Sequence, residues 1–450
     1  MITTLNPYTG KELKSYQNAT DHEIESAISL AETTFHHWKK TTFEERRHHI
    51  LNVKKQLEKD KREYAEMMTA EMGKPISQAI AEVEKCAWLC QYYADHAVEH
   101  LERLVIETDA QESFVTFEPL GIILAVMPWN YPFWQVFRFI IPSLMAGNVG
   151  LLKHSTSVMG SAQLIERVFL DAGLQKGCFQ NLVIASDAVE PIINDSRIKA
   201  VTLTGSKPAG SAVASAAAKK IKKSVLELGG SNALVVLPDA DMENTLETCV
   251  KARYQNTGQS CIAGKRLLLH EDIADQFLER FVEKVKELTT GDPMDENTYI
   301  GVMAREDLAK DLQEQVNDTL DAGAKLMLGG KRDGAYFEPT IVTNVHADMR
   351  MFKEETFGPA MAVTTFKTFD EAVDLVNQSD FGLGVSVFTT NIDQIKPHIS
   401  RFEDGAVFIN ELVKSDPRLP FGGTKISGYG RELSVFGIRE FVNIKTVYIN

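Results

Sequence analysis

Through the first hundred positions, apolar residues recur at spacings of three and four, the period of a helix with one buried face. Asp21 is placed to cap a helix over 22–31. A helical stretch follows over 44–72 and stops at Gly73-Lys74-Pro75, and a long amphipathic segment occupies 76–99. Around Phe114 to Phe117 the period changes to the alternation of a strand. Gly121 to Met127 is a nearly continuous apolar run closed by Pro128, the pattern of a strand buried on both faces.

Strand and helix patterns then alternate. Strands are expected at 149–153, 181–184, 200–204 and 224–228, with helices at 159–172 and 210–219. A second set has strands at 233–236 and 265–269, with helices at 242–254, 273–288 and 304–322. Later strands fall near Ile341, Ala362, Val385 and Val407, and the last residues, 441–449, form a further candidate strand. Such alternation predicts two α/β lobes with parallel, doubly wound sheets. The glycine pair Gly229-Gly230 punctuates the chain between them, near 228–232.

Composition narrows the class. A chain of 450 residues exceeds one ordinary core, and 44% apolar with 24% charged residues suits folded domains. The net charge of −14 argues against nucleic-acid and membrane-surface partners. The first residues lack a basic stretch followed by an apolar one, and no apolar run reaches the ~18 residues of a membrane helix. Five cysteines, with no Cys-x-x-Cys and no Cys/His cluster at zinc spacing, predict a reduced cytoplasmic protein without a metal. Cys86, Cys90, Cys178 and Cys249 read as packing residues.

Candidate chemistry starts from Cys261, within Gly258-Gln-Ser-Cys261, and from Glu227, which heads Glu227-Leu-Gly-Gly230. A thiol can attack a carbonyl and a carboxylate can then activate water. Neither Gly-x-Gly-x-x-Gly nor a P-loop is present. The stretch 201–210, with Thr204-Gly-Ser206 and Gly210, runs from a strand through a tight turn into a helix. Backbone amides there could hold a pyrophosphate. Thiol and base alone would equally suit a hydrolase or acyltransferase.

Taken together, Pro128-Trp-Asn-Tyr-Pro132, Leu151-Leu-Lys-His154, Thr204-Gly-Ser206, Glu227-Leu-Gly-Gly230, Gly258-Gln-Ser-Cys261, Glu354-Glu-Thr-Phe-Gly-Pro359 and Pro420-Phe-Gly-Gly-Thr-Lys-Ile-Ser-Gly428 resemble the NAD(P)-dependent aldehyde dehydrogenase superfamily in order and spacing. Within it, the chain looks most like the short bacterial succinate-semialdehyde dehydrogenases. The resemblance implies an aldehyde dehydrogenase-like fold of two Rossmann-type lobes with a small β oligomerisation element. It divides the chain into a cofactor-binding domain (1–100 and 120–229), a catalytic domain (230–427), and an oligomerisation element with a tail (101–119 and 428–450). It implies a homodimer or homotetramer acting on a small aldehyde.

The same resemblance assigns roles. Cys261 matches the nucleophile, Asn130 the side-chain oxyanion donor, Glu227 the general base, and Glu432 a second carboxylate on the proton path. Trp129, Lys153, Ser155, Thr156, Gly205, Ser206, Gly210, Leu228, Glu355 and Phe357 match the cofactor site. Arg138, Arg266 and Ser415 match groups that hold a substrate carboxylate, and arginine suits a planar carboxylate. Arg418 is a further cation without a family match. Thr156 stands where many NAD-preferring relatives carry a glutamate, so a 2′-phosphate meets no repulsion there and Lys153 could attract one. Use of both NAD and NADP is expected. The neighbours of Cys261 are Ser260, Ile262 and Ala263, so the disulfide partner some relatives carry beside the nucleophile is missing. The expected reaction is oxidation of succinate semialdehyde to succinate; the alternative is a broad-specificity aliphatic or aromatic aldehyde dehydrogenase.

Overall fold

The computed structural model describes residues 1–450. A short hairpin, Ile2–Leu5 with Glu12–Tyr16, precedes four helices: Asp21–Trp38, Phe43–Lys59, Lys61–Met72 and Ile76–His100. The first two begin with capping boxes, Thr20 with Glu23 and Thr42 with Glu45. The first cap is therefore Thr20, one residue before the expected Asp21. The segment expected as one helix over 44–72 breaks at Asp60, whose ψ of 22° ends the first helix before Lys61 starts the next.

Six strands form the first sheet, in spatial order Gly428–Tyr429, Lys223–Glu227, Ile198–Thr204, Ile122–Met127, Val149–His154 and Phe179–Asn181. All neighbours are parallel except the Gly428–Tyr429 edge. From the central strand Ile122–Met127 the chain moves outward on one side, then returns to build the other. That reversal leaves a crevice at the carboxyl ends of the strands, where this class of sheet binds its ligands. The strand expected at 181–184 lies instead at Phe179–Asn181.

The helix Pro132–Met145 was not anticipated. All of its residues are buried, so it has no polar face to betray a period. It packs beside the long helix Ile76–His100 and brings the 130s into the interior.

A second sheet has seven strands, ordered Lys325–Leu328, Thr340–Thr343, Ala360–Phe366, Gly264–His270, Asn232–Val236, Val385–Phe388 and Val407–Ile409. Only its Lys325–Leu328 edge is antiparallel. Separate apolar clusters cover its two faces, which makes its strands nearly all-apolar rather than alternating. The chain passes from the first sheet to the second between Glu227 and Asn232. A third, antiparallel sheet joins Val442–Ile449 to Glu112–Pro119 and Leu104–Val105. Leu104, Val105, Ile444, Tyr448 and Ile449 are exposed on it. No helix is long and apolar enough to cross a membrane.

Candidate active site

The crevice of the first sheet gathers most of the sequence candidates because each follows a strand end. Trp129 and Asn130 follow Met127, Ser155 and Thr156 follow His154, Gly205 and Ser206 follow Thr204, and Leu228 follows Glu227. His154 anchors the floor. Burial pulls its pKa down to about 4, so the neutral ring donates from Nε2 to the Pro132 carbonyl at 3.0 Å and accepts the Ser155 amide at Nδ1 at 2.8 Å. The ring therefore ties the Trp129–Pro132 turn to its neighbouring strand.

Cys261 is presented by a strained turn. After the helix Met242–Tyr254, Asn256, Thr257 and Gly258 take φ of 56°, 53° and 71° in succession. Left-handed backbone is costly for β-branched Thr257. Side chains hold it. Asn256 Nδ2 donates to the carbonyls of Asn130 at 2.9 Å and Gln259 at 3.1 Å, and Asn130 Nδ2 donates to the Gln259 carbonyl at 3.1 Å. Asn130 is thus fixed against the nucleophile turn with its second N–H uncommitted. The Cys261 amide donates to no protein acceptor. A built side chain at Gly230 would come within 2.6 Å of the Cys261 carbonyl, so glycine there permits the close approach of the two sheets.

Lys265 was missed by sequence reasoning. Its fully buried ammonium donates to the carbonyls of Ser260 at 2.6 Å and Cys261 at 2.7 Å, and to Glu355 at 3.0 Å. Glu355 also accepts the Gly230 amide at 3.0 Å. One lysine therefore couples the cysteine turn to the carboxylate expected at the cofactor.

Three charged side chains meet under the cavity. Arg138 forms an ion pair with Glu432, and both are almost wholly buried. Arg138 also donates to Thr204 Oγ1 at 3.4 Å and stacks 4.5 Å from the centre of the Phe421 ring. Glu227 is 2% exposed, and neither of its carboxylate oxygens has a hydrogen-bond partner. Burial, then the nearby Glu432, hold its pKa well above the usual carboxylate range, while Arg138 opposes them. Burial likewise raises Glu432 against the pull of Arg138. A buried carboxylate with raised pKa suits a proton acceptor. Glu227 does not line the cavity that exposes Cys261; it stands behind it, beside Gly422.

That cavity holds about 200 Å³, small beside the 300–1,000 Å³ typical of ligand pockets. Cys261, Arg138 and Ser415 line it together. Arg266 does not, which corrects its assignment to a substrate carboxylate. Its buried guanidinium donates to the carbonyls of Ser231 at 2.9 Å, Leu375 at 2.7 Å and Val376 at 3.2 Å, and lies 4.9 Å from the Phe352 ring centre. It holds loops of the second sheet. Arg418 is bound to Asp416 and lies outside the lining as well. Lys85 and Gln255, which the sequence did not single out, do line the cavity.

Burial raises the Cys261 thiol to about 11, with Arg138 and Lys265 pulling the other way. Cys86, Cys90, Cys178 and Cys249 are buried, and burial raises each of them as well.

The groove at the strand ends fits a dinucleotide. Lys153 is buried with no carboxylate partner, and burial lowers its pKa. Ser206 starts the helix Lys207–Lys219 without a side-chain cap, leaving amides free for phosphate oxygens. Gly210 sits where a side chain would meet Leu228 at 2.7 Å, so helix and strand can close together below the groove. Trp129 and Phe357 pack edge to face, 5.6 Å between centres.

A two-lobed parallel α/β protein, with a partly buried thiol near a groove at the strand ends that fits a dinucleotide, has the architecture of an NAD(P)-dependent oxidoreductase. Its sequence matches the profile of the Aldehyde dehydrogenase family over residues 1–447, and the chain belongs to that family. It is 47% identical, over 100% of its own length and 99% of the relative's, to a probable succinate-semialdehyde dehydrogenase [NADP(+)] of Synechocystis. It is likewise 47% identical to a succinate semialdehyde dehydrogenase [NAD(P)+] of Escherichia coli, over 99% of this chain and 97% of that one. A crystal structure of succinic semialdehyde dehydrogenase from Streptococcus pyogenes with NADP+ superposes with a TM-score of 0.97, at 37% identity and full coverage of both chains.

Proposed function

We propose that the protein oxidises succinate semialdehyde to succinate with NAD+ or NADP+. The carrying observation is that Cys261, Arg138 and Ser415 line one small cavity, so a reacting thiol and groups suited to a carboxylate share a space sized for a short substrate. The named relatives above support the same reading over nearly the whole chain.

The Cys261 thiolate adds to the aldehyde carbon, forming a C–S bond and an oxyanion. Asn130 Nδ2 and the free Cys261 amide donate to that oxygen, an arrangement in which losing one donor costs ~3–4 kcal/mol. Lys153, Ser155, Thr156, Gly205, Ser206, Gly210 and Leu228 would hold the dinucleotide, with Trp129 near its pyrophosphate and Glu355 and Phe357 toward its nicotinamide ribose. The bound cofactor would supply the hydride acceptor: as the oxyanion re-forms the C=O bond, the aldehyde C–H bond breaks, hydride leaves, and a thioester remains on Cys261. Glu227 then removes a proton from water, the water adds to the Cys261 thioester, and the C–S bond breaks to release the carboxylate and the thiol. Glu432 sets the charge around Glu227 and receives protons from it. Two of the five N–H groups of Arg138 face Glu432 and Thr204, leaving others for the substrate.

Residues 1–100 and 120–229 make the cofactor-binding domain, 230–427 the catalytic domain, and 101–119 with 428–450 the oligomerisation element and tail, Gly428–Tyr429 also lending an edge to the cofactor sheet. The protein works in the cytoplasm as a homodimer or homotetramer.

The test is the absorbance of reduced cofactor with succinate semialdehyde and with butanal, each run with NAD+ and NADP+. A kcat/KM at least tenfold higher for the acid is expected. Equal values would leave a broad-specificity aldehyde dehydrogenase, and no reduced cofactor with any aldehyde would leave a thiol hydrolase.

A further inference from the structure

Four charged residues line the cavity: Glu82, Lys85, Arg138 and Lys414. Three are already matched within the protein. Glu82 pairs with Lys74, Arg138 with Glu432, and Lys414 with Glu411. Lys85 has no carboxylate within ion-pair distance. Its ammonium donates instead to Ser415 Oγ at 2.8 Å and sits 4.1 Å from the centre of the Trp134 ring. Trp134 also lines the cavity, and its buried Nε1–H has no acceptor.

The placement of Lys85 is built rather than incidental. It lies on the helix Ile76–His100, one turn after Glu82. Glu82 accepts the amides of Phe133 and Trp134, each at 2.9 Å, and so caps the helix that carries Arg138. Glu82 and Lys85 share a face of their helix, which registers the lysine against the Trp134 ring. A half-buried ammonium facing a hydroxyl and an aromatic ring keeps hydrogen-bond capacity that neither neighbour uses up. An anion entering the cavity meets it without displacing a carboxylate of the protein.

We propose that Lys85 is a specificity-determining residue, whose ammonium, steadied by Ser415 and Trp134, binds the carboxylate of the semialdehyde in the role expected of Arg266. This rests on the functional reading above. Burial and the neighbouring Arg138 lower the lysine to about 8, against the pull of Cys86, Glu82 and Asp416, so it remains mostly charged at neutral pH. The uncharged chain of butanal gains nothing from this group.

The experiment compares wild type with Lys85→Met and Lys85→Arg, separating kcat from KM for succinate semialdehyde and for butanal. A charge-assisted hydrogen bond corresponds to on the order of a tenfold to hundredfold effect. Lys85→Met is expected to lose that much kcat/KM for the acid, mainly through KM, with butanal held within about twofold. Lys85→Arg is expected to recover most of the loss. If Lys85→Met fails to fold, Lys85→Gln provides the same comparison. An unchanged ratio of acid to butanal overturns the proposal, as does an equal fall for both substrates. A wild-type enzyme with no preference for the acid overturns the functional reading itself, whereas a preference that survives Lys85→Met overturns only the role of Lys85.

Discussion

Burial keeps the Cys261 thiol protonated to about pH 11 in the protein without cofactor. Because the thiolate is the reacting form, alkylation by iodoacetamide should rise about tenfold per pH unit through pH 10. A plateau near pH 8.5, the value of a free thiol, would refute this. Mass spectrometry should find the label on Cys261 and not on the other cysteines, which are buried. The roles proposed for Cys261, Glu227 and Asn130 come from short motifs that resemble those of the family. The two residues after the cysteine turn could not be read that way. Lys265 and Arg266 are adjacent on the strand Gly264–His270, and adjacent strand residues point to opposite faces. Lys265 reaches the cysteine turn, while Arg266 reaches the Ser231, Leu375 and Val376 carbonyls. An offset counted from Cys261 says nothing about which face a residue takes. Arg266→Met should therefore lower stability by about 2–4 kcal/mol in denaturant unfolding, yet leave the ratio of kcat/KM for acid and butanal unchanged. A shifted ratio would restore its substrate role.

The connection between the strands Lys223–Glu227 and Asn232–Val236 links Glu227, the Cys261 turn and Glu355. A side chain at Gly229 would collide with the Glu355 carboxylate. Gly229→Ala should displace Glu355 and raise KM for the dinucleotide by roughly tenfold, with a smaller change in KM for aldehyde. Initial-rate measurements with both substrates varied would show it, and equal changes in the two would count against it. Most helices matched their apolar periods because one face is polar, and most sheet strands showed as short apolar runs because both faces are buried. The helix Pro132–Met145 escaped because it is buried all round, and the break at Asp60 because helical spacing continues on either side of it. Lys85 was hidden differently. Its helix was expected, but its function comes from Ser415, which lies far along the chain, and no local pattern reports such a contact.

The antiparallel sheet of Leu104–Val105, Glu112–Pro119 and Val442–Ile449 carries exposed Ile444, Tyr448 and Ile449. Apolar residues concentrated on one small sheet are what the proposed oligomerisation element would present to a second copy. Ile444→Lys should shift the protein toward monomers in analytical ultracentrifugation, while Tm of the monomer changes little because Ile444 is 61% exposed. An unchanged sedimentation coefficient would place the contact elsewhere. The pairing in this sheet also orders events during synthesis. Glu112–Pro119 leaves the ribosome early, but its partner Val442–Ile449 is made about 320 residues later. At ribosomal speeds of ~5–20 residues per second the first strand waits on the order of tens of seconds. Over that interval its edge is open to any strand nearby, and the three-stranded sheet is incomplete until Val442–Ile449 has been made.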